Sequence, residues 1–593
     1  MTFRGILPVQ ASSNPCSGEI QTQVHSWCGP GLLPVSGGAC IMTGLMESHC
    51  IPFREIPHTT KLFATFLEDF SRVSSYYAHP PTSGGIEAAA REVPADAVLR
   101  RSVVEILREQ NCRFAPGNKL DSATSKNLDR LASGAVAIVT GQQVGLFSGP
   151  VFSLYKALST IRCAEQTTGR GIDAVPIFWL ATEDHDLAEV NHTFWNTRNG
   201  LARYELPAKA EDTGRHVGEV ALGDEIESLV ATAAGTLEGA YAAEVAGALR
   251  ESYRPGETYG SAFGKLLARL FAGRGIIFID PLDARFHRLA APVYLRALGE
   301  AEALREALLV RSKELEAAGF HDQVKVTHES TLLFYKVAGR REPLRNRSGK
   351  FFAGEAEFTR AQLDAALGTS PESFTPSALL RPVVQDTLLP TAAYFGGPAE
   401  VAYLAQSQVL YRKILGRMSA IVPRASFTII EPPIARFLAQ YGLEIRDLFA
   451  GPQHLRAKME QKSLPAALSS RFDESEQTIR ATLKAYEEPL GLLDSTLLEA
   501  LHASERKMLH QIEQLKGKVA RAENFRSGIL DRHERILLDS LYPDGGLQER
   551  TLCGLPLLAS IGPGLLDDLA ALSSIPDSPD SHSCANQHHV LAL

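Results

Sequence analysis

Residues 135–192 decide the fold. Residues 135–140 read AVAIVT, 141–156 read GQQVGLFSGPVFSLYK, and 174–192 read AVPIFWLATEDHDLAEVNH. The first piece is a short apolar, β-rich run and predicts a buried strand. Gly141 ends it, and Gly145 and Gly149 follow at a spacing of four. After Pro150, Val151, Leu154, Tyr155, Leu158 and Ile161 recur every three to four residues, the period of a helix. Residues 175–181 predict a second strand, which breaks into Glu183-Asp184-His185-Asp186.

Parallel α/β sheets bind ligands beyond the carboxyl ends of their strands. Two polar loops are expected there, one βαβ unit apart. Backbone N–H groups at a helix start can hold an anion, so Gly145, Ser148 and Gly149 are candidate anion-binding positions, with Lys156 adding a positive charge. Gln142 and Gln143 carry amides that donate and accept. Glu183, Asp184 and Asp186 supply carboxyl groups, and His185 titrates near neutral pH. These four form the candidate catalytic cluster, and His192 shares a face with His185 if the segment is helical. Structural readings stand beside these: GxxxG can be only a tight turn, and acids after a strand can complement a helix dipole. EDHD has no standard metal spacing, and no metal is assigned.

A later block, LLRPVVQDTLLPTAAYFGGPAEVAYLAQ (379–406), again runs from an extended segment into a Gly turn and a helix. It holds Arg381, Tyr394, Gly397 and Glu400. Arg381 can pair with a carboxylate or phosphate, or can serve the backbone as a structural arginine. Arg424 and Ser426, in VPRASFTIIE (422–431), are further anion-binding candidates. GIIFID (275–280) predicts a strand whose final Asp280 reads equally as a site residue and as a turn. The basic stretch GRREPLRNRSGK (339–350) reads as a solvated face that can also attract an anionic substrate.

The GQQVGLFSGPVFSLYK and PIFWLATEDHDLAEVNH blocks, with residues 379–406, 422–431 and IPFREIPHTTKLFATFLEDF (51–70), resemble the BshC family, the cysteine ligases of bacillithiol synthesis. The resemblance runs from about residue 51 to the C-terminus. It implies a cytoplasmic enzyme that joins the carboxyl of cysteine to the amine of glucosaminyl-malate. A carboxylate is a poor acyl donor, so ATP or ADP is expected as cosubstrate. The HxGH and KMSKS-type signatures of adenylating Rossmann ligases are not in the sequence. His185 is the expected base on the amine, then Asp184 or Asp186; Arg381 and Arg424 are the expected contacts of the malate carboxylates. Two other readings compete. A non-catalytic nucleotide-binding scaffold would bind nucleotide without product, and a nucleotidyl transferase would release pyrophosphate without cysteine.

The chain has 593 residues and a formal net charge of −8, which disfavours nucleic acid or an anionic membrane as partner. No apolar run reaches the roughly 18–20 residues of a membrane helix. The eight cysteines form no CxxC pair and no metal spacing, and a reducing compartment is the simplest setting. Residues 1–50 are rich in Gly, Ser, Pro and Cys and lack periodicity; they read as an unstructured extension, with translation starting at Met42 or Met46. Further on, Leu501, Met508, Leu515, Ala522, Ile529 and Ile536 recur every seven residues, with Ile512 and Val519 at the interleaved position. That is a heptad seam, whose partner is either the helix at residues 472–488, with a turn at Pro489 and Gly491, or a second subunit; the resemblance implies an intramolecular antiparallel arm that also contributes to a homodimer. The final HHVLAL is expected to return to the core. The expected architecture is therefore an α/β protein. It comprises an extension (1–50), a Rossmann-like parallel-sheet core with helical insertions (51–450), a C-terminal antiparallel coiled-coil arm (451–546) and a returning segment (547–593).

Overall fold

Five apolar runs pair into one parallel sheet in the computed structural model, which describes residues 46–462, 466–578 and 584–593. They are β1 (Val136–Gln142), β2 (Ala174–Leu180), β3 (Ile277–Ile279), β4 (Thr391–Gly396) and β5 (Ala420–Pro423), in the order β5-β4-β1-β2-β3. Val139 of β1 lies opposite Ile177 of β2 and Tyr394 of β4. β2 and β4 are buried along their whole length. Sheets covered on both faces want such continuous apolar runs rather than alternation. From β1 the chain moves to β2 and β3 on one side and to β4 and β5 on the other. The strand order therefore reverses between β1 and β4, where an open parallel sheet leaves a crevice.

Helix Phe152–Gly169 makes the crossover from β1 to β2 and is buried over most of its surface. Two further sheets flank the core. Strands Ser330–Val337, Arg340–Arg347, Lys350–Ala353, Ala356–Phe358 and Phe374–Pro376 form an antiparallel sheet beside the carboxyl end of β2. Strand His588–Ala592 lies between Met46–Ile51 and Ser426–Ile430, antiparallel to the first and parallel to the second. HHVLAL thus returns as the middle strand of a sheet.

Several expectations change. Residues 46–50, assigned to the extension, belong to a strand; the expectations for residues 1–45, including Met42, Cys16, Cys28 and Cys40, lie outside the described residues. Cys50 and Cys584 are joined in a disulfide, with Cα atoms 5.9 Å apart, so one pair emerges where spacing showed none.

The arm pairs helix Ala466–Lys484 with Thr496–Ser527. Arg480 bonds Glu505 and Lys516 bonds Asp473, an antiparallel register. The expected seam holds in part, at Leu501, Ile512 and Val519. Leu501, Leu509, Ile512, Val519 and Ala520 are covered, whereas Met508, Leu515, Ala522 and Ile529 are exposed. The turn also falls later: helix Glu487–Leu493 continues through Pro489 and Gly491, and Asp494 caps the next helix by accepting from Thr496 N–H at 2.8 Å.

Candidate active site

The crevice at the strand-order reversal has a volume of about 660 Å³ and is lined from the ends of β1, β2, β4 and β5. Across it run two tethers. Lys156, on the crossover helix, is 2% exposed. Its ammonium donates to the Gly141 carbonyl (2.7 Å), to Gln142 Oε1 (3.0 Å) and to Glu400. Glu400, from the helix after β4, also accepts from Gly397 N–H (2.8 Å) and the Tyr394 hydroxyl (2.6 Å). Burial pulls the Lys156 pKa down, against Glu400. For Glu400 burial acts upward, but Lys156 and the two hydrogen bonds hold it below its usual range. The second tether is Gln143, whose amide donates to Asp184 (2.6 Å) and Glu189 (2.7 Å).

The β2 loop carries the acids. Glu183 is buried, lines the crevice and makes no hydrogen bond among the described residues. Burial pushes its carboxyl up to about 7, against the opposing charges of Arg341 and Arg381. Asp184 goes the other way: burial is outweighed by hydrogen bonds from its surroundings, Gln143 among them, and its carboxyl sits well below the usual range. Two adjacent carboxyls are thus driven apart, one acid-like and one fixed as an anion. The loop is clamped by a distant segment, with Val217 N–H donating to Asp184 O (2.7 Å) and Gly218 N–H to Thr182 O (3.0 Å).

His185 lines the crevice, but its Nδ1 faces an Arg341 N–H at 3.0 Å. Arginine only donates, so this shorter contact makes Nδ1 the acceptor and places the proton on Nε2, while the longer approach of Asp184 Oδ1 to Nδ1 (3.5 Å) suits the other tautomer. With the proton on Nε2 His185 is a donor, which favours Glu183 over His185 as base. Asp186 is exposed and outside the lining. His192 opens strand His192–Thr197 instead of continuing a helix, bonds Asn191 at 3.1 Å and also lies outside the crevice.

The expected anion site at the start of the crossover helix is closed. Val151 N–H donates to the Leu552 carbonyl at 2.8 Å, and Pro150 pairs with Cys553. Ser148 (φ 75°) and Phe147 (φ 51°) are buried and turned toward Cys553, whose thiol donates to Phe147 O at 3.1 Å. GxxxG has a packing cause: a Cβ on Gly145 would sit 3.0 Å from the Cα of Gly149. Phosphates of ATP or ADP therefore do not fit at this helix start. The C-terminal segment already occupies it.

Arg424 lines the crevice but is paired with Glu549 through both terminal nitrogens (3.0 and 2.6 Å). Ser426 is buried between Glu549 (2.9 Å) and His588 (2.7 Å), away from the crevice. Both anchor the C-terminal segment. Asp280 binds Thr182 at 2.5 Å and Leu282 N–H at 3.1 Å, a turn rather than a site.

Arg381 is where it was expected. It donates to Gln385 (2.9 Å), Tyr394 (3.3 Å) and Tyr403 (3.1 Å). Two arginines were missed. Arg341 comes from the basic stretch read as a solvated face; its guanidinium stacks 3.6 Å above Phe334 and bonds Thr375 and Pro376. Its signal was present in the basic run, but not which of the arginines turns inward. Arg550 arrives from the C-terminal segment.

Comparison with known proteins agrees with this geometry. Residues 46–425 match the family model "Bacillithiol biosynthesis BshC, N-terminal Rossmann-like domain", and residues 427–581 match "Bacillithiol biosynthesis BshC, C-terminal coiled-coil domain". Relatives named "Putative cysteine ligase BshC" include those of Koribacter versatilis, Solibacter usitatus and Salinibacter ruber. The first is 40% identical over 88% of this chain and 97% of that protein. The second is 38% identical over 87% and 96%, and the third 32% over 86% and 93%. A parallel-sheet crevice, a helical arm and similarity over most of the chain converge, and the chain belongs to the BshC family of bacillithiol biosynthesis.

Proposed function

We propose that this chain forms the amide bond between the carboxyl of cysteine and the amine of glucosaminyl-malate, within the crevice between β1 and β4. The observation that carries this reading is a charge imbalance. Arg341, Arg381 and Arg550 line the crevice with no carboxylate in ion-pair range among the described residues, whereas Lys156 is neutralised by Glu400 and Arg424 by Glu549. Arg341 is engaged with His185, Thr375 and the Pro376 carbonyl; the other two guanidiniums, Arg381 and Arg550, suit a dicarboxylate, which is what the malate group supplies.

Glu183 acts as the base on the sugar amine. A carboxyl poised near neutrality can accept a proton and return it, and Glu183 is such a group. His185, presenting Nε2–H, donates to a substrate oxygen, and Arg341 holds it in that orientation. Lys156, Glu400 and Gln143 keep the strand ends at fixed separation. Amide formation from a carboxylate needs activation, and ATP or ADP as cosubstrate is part of the proposal, with no step assigned to it. A cytoplasmic setting and a homodimer are likewise proposed, the latter tested by sedimentation. The relatives' ligase names favour this reading over the scaffold.

The test is product formation. Purified protein receives cysteine and glucosaminyl-malate, with and without ATP and Mg²⁺, and the thiol product is read by mass spectrometry. Product that requires ATP supports the whole reading. Glu183→Gln should lower turnover about 10²–10⁴-fold, and Arg381→Ala with Arg550→Ala should raise KM for the malate-bearing substrate. A saturating rate unchanged by Glu183→Gln refutes the base assignment.

A further inference from the structure

Behind the Glu183 wall of the crevice stand two histidines that the chemistry above does not use. His287, on helix Ala284–Gly299, is 2% exposed, and its Nε2 has no hydrogen-bond partner. Its Nδ1 lies 3.4 Å from the Tyr294 hydroxyl. Its Nε2 lies 4.0 Å from Glu183 Oε1. His216 is also 2% exposed, with both ring nitrogens unpartnered. It precedes the Val217–Gly218 backbone that clamps the Glu183 loop, and its Nδ1 is 3.8 Å from Glu219. Lys336 in turn binds Glu219 at 2.7 and 2.9 Å.

The Tyr294 hydroxyl can accept from Nδ1–H, and in that tautomer Nε2 of His287 is a bare lone pair. A buried acceptor left unpaired is costly. Here it points at a buried carboxyl that also lacks a partner. Each group supplies what the other needs once Glu183 carries a proton.

Resting on Glu183 as the base, we propose that His287 is a positioning residue whose Nε2 accepts the hydrogen of the Glu183 carboxylic acid formed during the reaction. One N–H bond of the substrate ammonium breaks, one O–H bond forms on Glu183, and the amine nitrogen keeps the electron pair for attack. The acid proton then points at His287 rather than back at the new amine. Closing 4.0 Å to a hydrogen bond takes a side-chain movement of about 1 Å.

The surroundings keep the two roles separate. Arg341 and Arg381 favour the Glu183 carboxylate, while burial and Asp280 favour its acid. Burial first, then His216 and Lys336, hold His287 neutral with its pKa near 4, against the Phe374 carbonyl and Asp283. Tyr294, the remaining polar neighbour, is kept neutral by burial and by Glu183 itself. The His216 pKa is likewise lowered, by burial first and by Arg341 and Lys336, against Glu219. His287 is thus an acceptor that does not compete for the proton.

The test follows carboxyl and imidazole titrations without substrate, using protein labelled with ¹³C in glutamate side chains and ¹⁵N in histidine rings. Wild type should show a carboxyl titrating near neutral pH that is missing in Glu183→Gln. The His287 Nε2 resonance should move with that titration and stand still in Glu183→Gln, a readout that needs no His287 variant. His287→Phe should lower the Glu183 pKa by about one pH unit, the worth of one hydrogen bond to the acid form, while His287→Gln, which keeps an acceptor oxygen, should restore it. A His287 resonance insensitive to Glu183, or a Glu183 titration unmoved in His287→Phe, overturns the proposal. Full turnover by Glu183→Gln instead overturns the base assignment on which it rests, whatever the titrations show.

Discussion

Lys156→Met offers the sharpest test of how the crevice is held open. Lys156 and Glu400 form a buried pair, with side chains 2% and 18% exposed. Removing the ammonium leaves the Glu400 carboxylate with only Gly397 N–H and the Tyr394 hydroxyl. The Gly141 carbonyl and Gln142 Oε1 lose their donor as well. Breaking a buried pair from one side costs about 3–5 kcal/mol, because the surviving charge is uncompensated. Glu400→Gln should cost a similar amount by stranding Lys156. In the double variant both charges are gone, so its loss should be no greater than that of the worse single variant. The coupling is then at least as large as the smaller single loss, about 3 kcal/mol or more, at or above the top of the ~0.5–3 kcal/mol found for contacting residues. Urea unfolding followed by tryptophan fluorescence measures this, since Trp179 lines the crevice. Single variants within about 1 kcal/mol of wild type, or losses that simply add, would refute the reasoning.

Glu183 also sets a pH dependence of stability. Its folded pKa of about 7 lies above the ordinary 4.5, so the folded state binds more protons between those values and stability falls as pH rises through that window. The contribution is about 3 kcal/mol at most, and Glu183→Gln should flatten it in unfolding measured from pH 4.5 to 8; an identical slope in the variant contradicts this. His588, pushed down to about 4 by burial, acts oppositely, so its share of the stability should fade as pH drops from 6.5 towards 4. Gly218→Ala would place a Cβ 2.4 Å from Thr182 Cβ. It should displace the Glu183 loop and lower turnover at least about tenfold, which steady-state rates will show. For the Cys50–Cys584 bond, alkylation with intact-mass readout should leave both residues unlabelled until reductant is added. Cys584→Ser should then lower stability by about 2–4 kcal/mol; labelling of Cys50 without reductant would refute the pairing.

What could be read in the sequence divides along contact range. β1, β2 and the crossover helix were legible because a buried parallel strand is a continuous apolar run and a helix has its own period. Gln142, Gln143, Lys156, Glu183, Asp184 and Arg381 followed, since strand ends in such a sheet converge. The closed helix start was not legible, because its partner Leu552 is about four hundred residues away and a backbone hydrogen bond leaves no side-chain signature. Arg341 was hidden for a related reason: every arginine in a basic run looks alike until a hairpin aims one inward. The heptad was legible only in part. Its interleaved positions Ile512 and Val519 are covered together with Leu509, whereas the regular apolar row through Met508 and Leu515 faces outward.

The placement of the last strand bears on synthesis. His588–Ala592 fills the middle of its sheet, with partners near residue 50 and near residue 428 on either side. Until residues 588–592 leave the ribosome, those two flanking strands have an empty slot between them. Pairing between segments so far apart in sequence is entropically slow, and unpaired strand edges invite association with other chains. The folding of this sheet therefore waits for His588–Ala592, and a nascent chain stalled before that strand exposes two edges that it would otherwise close.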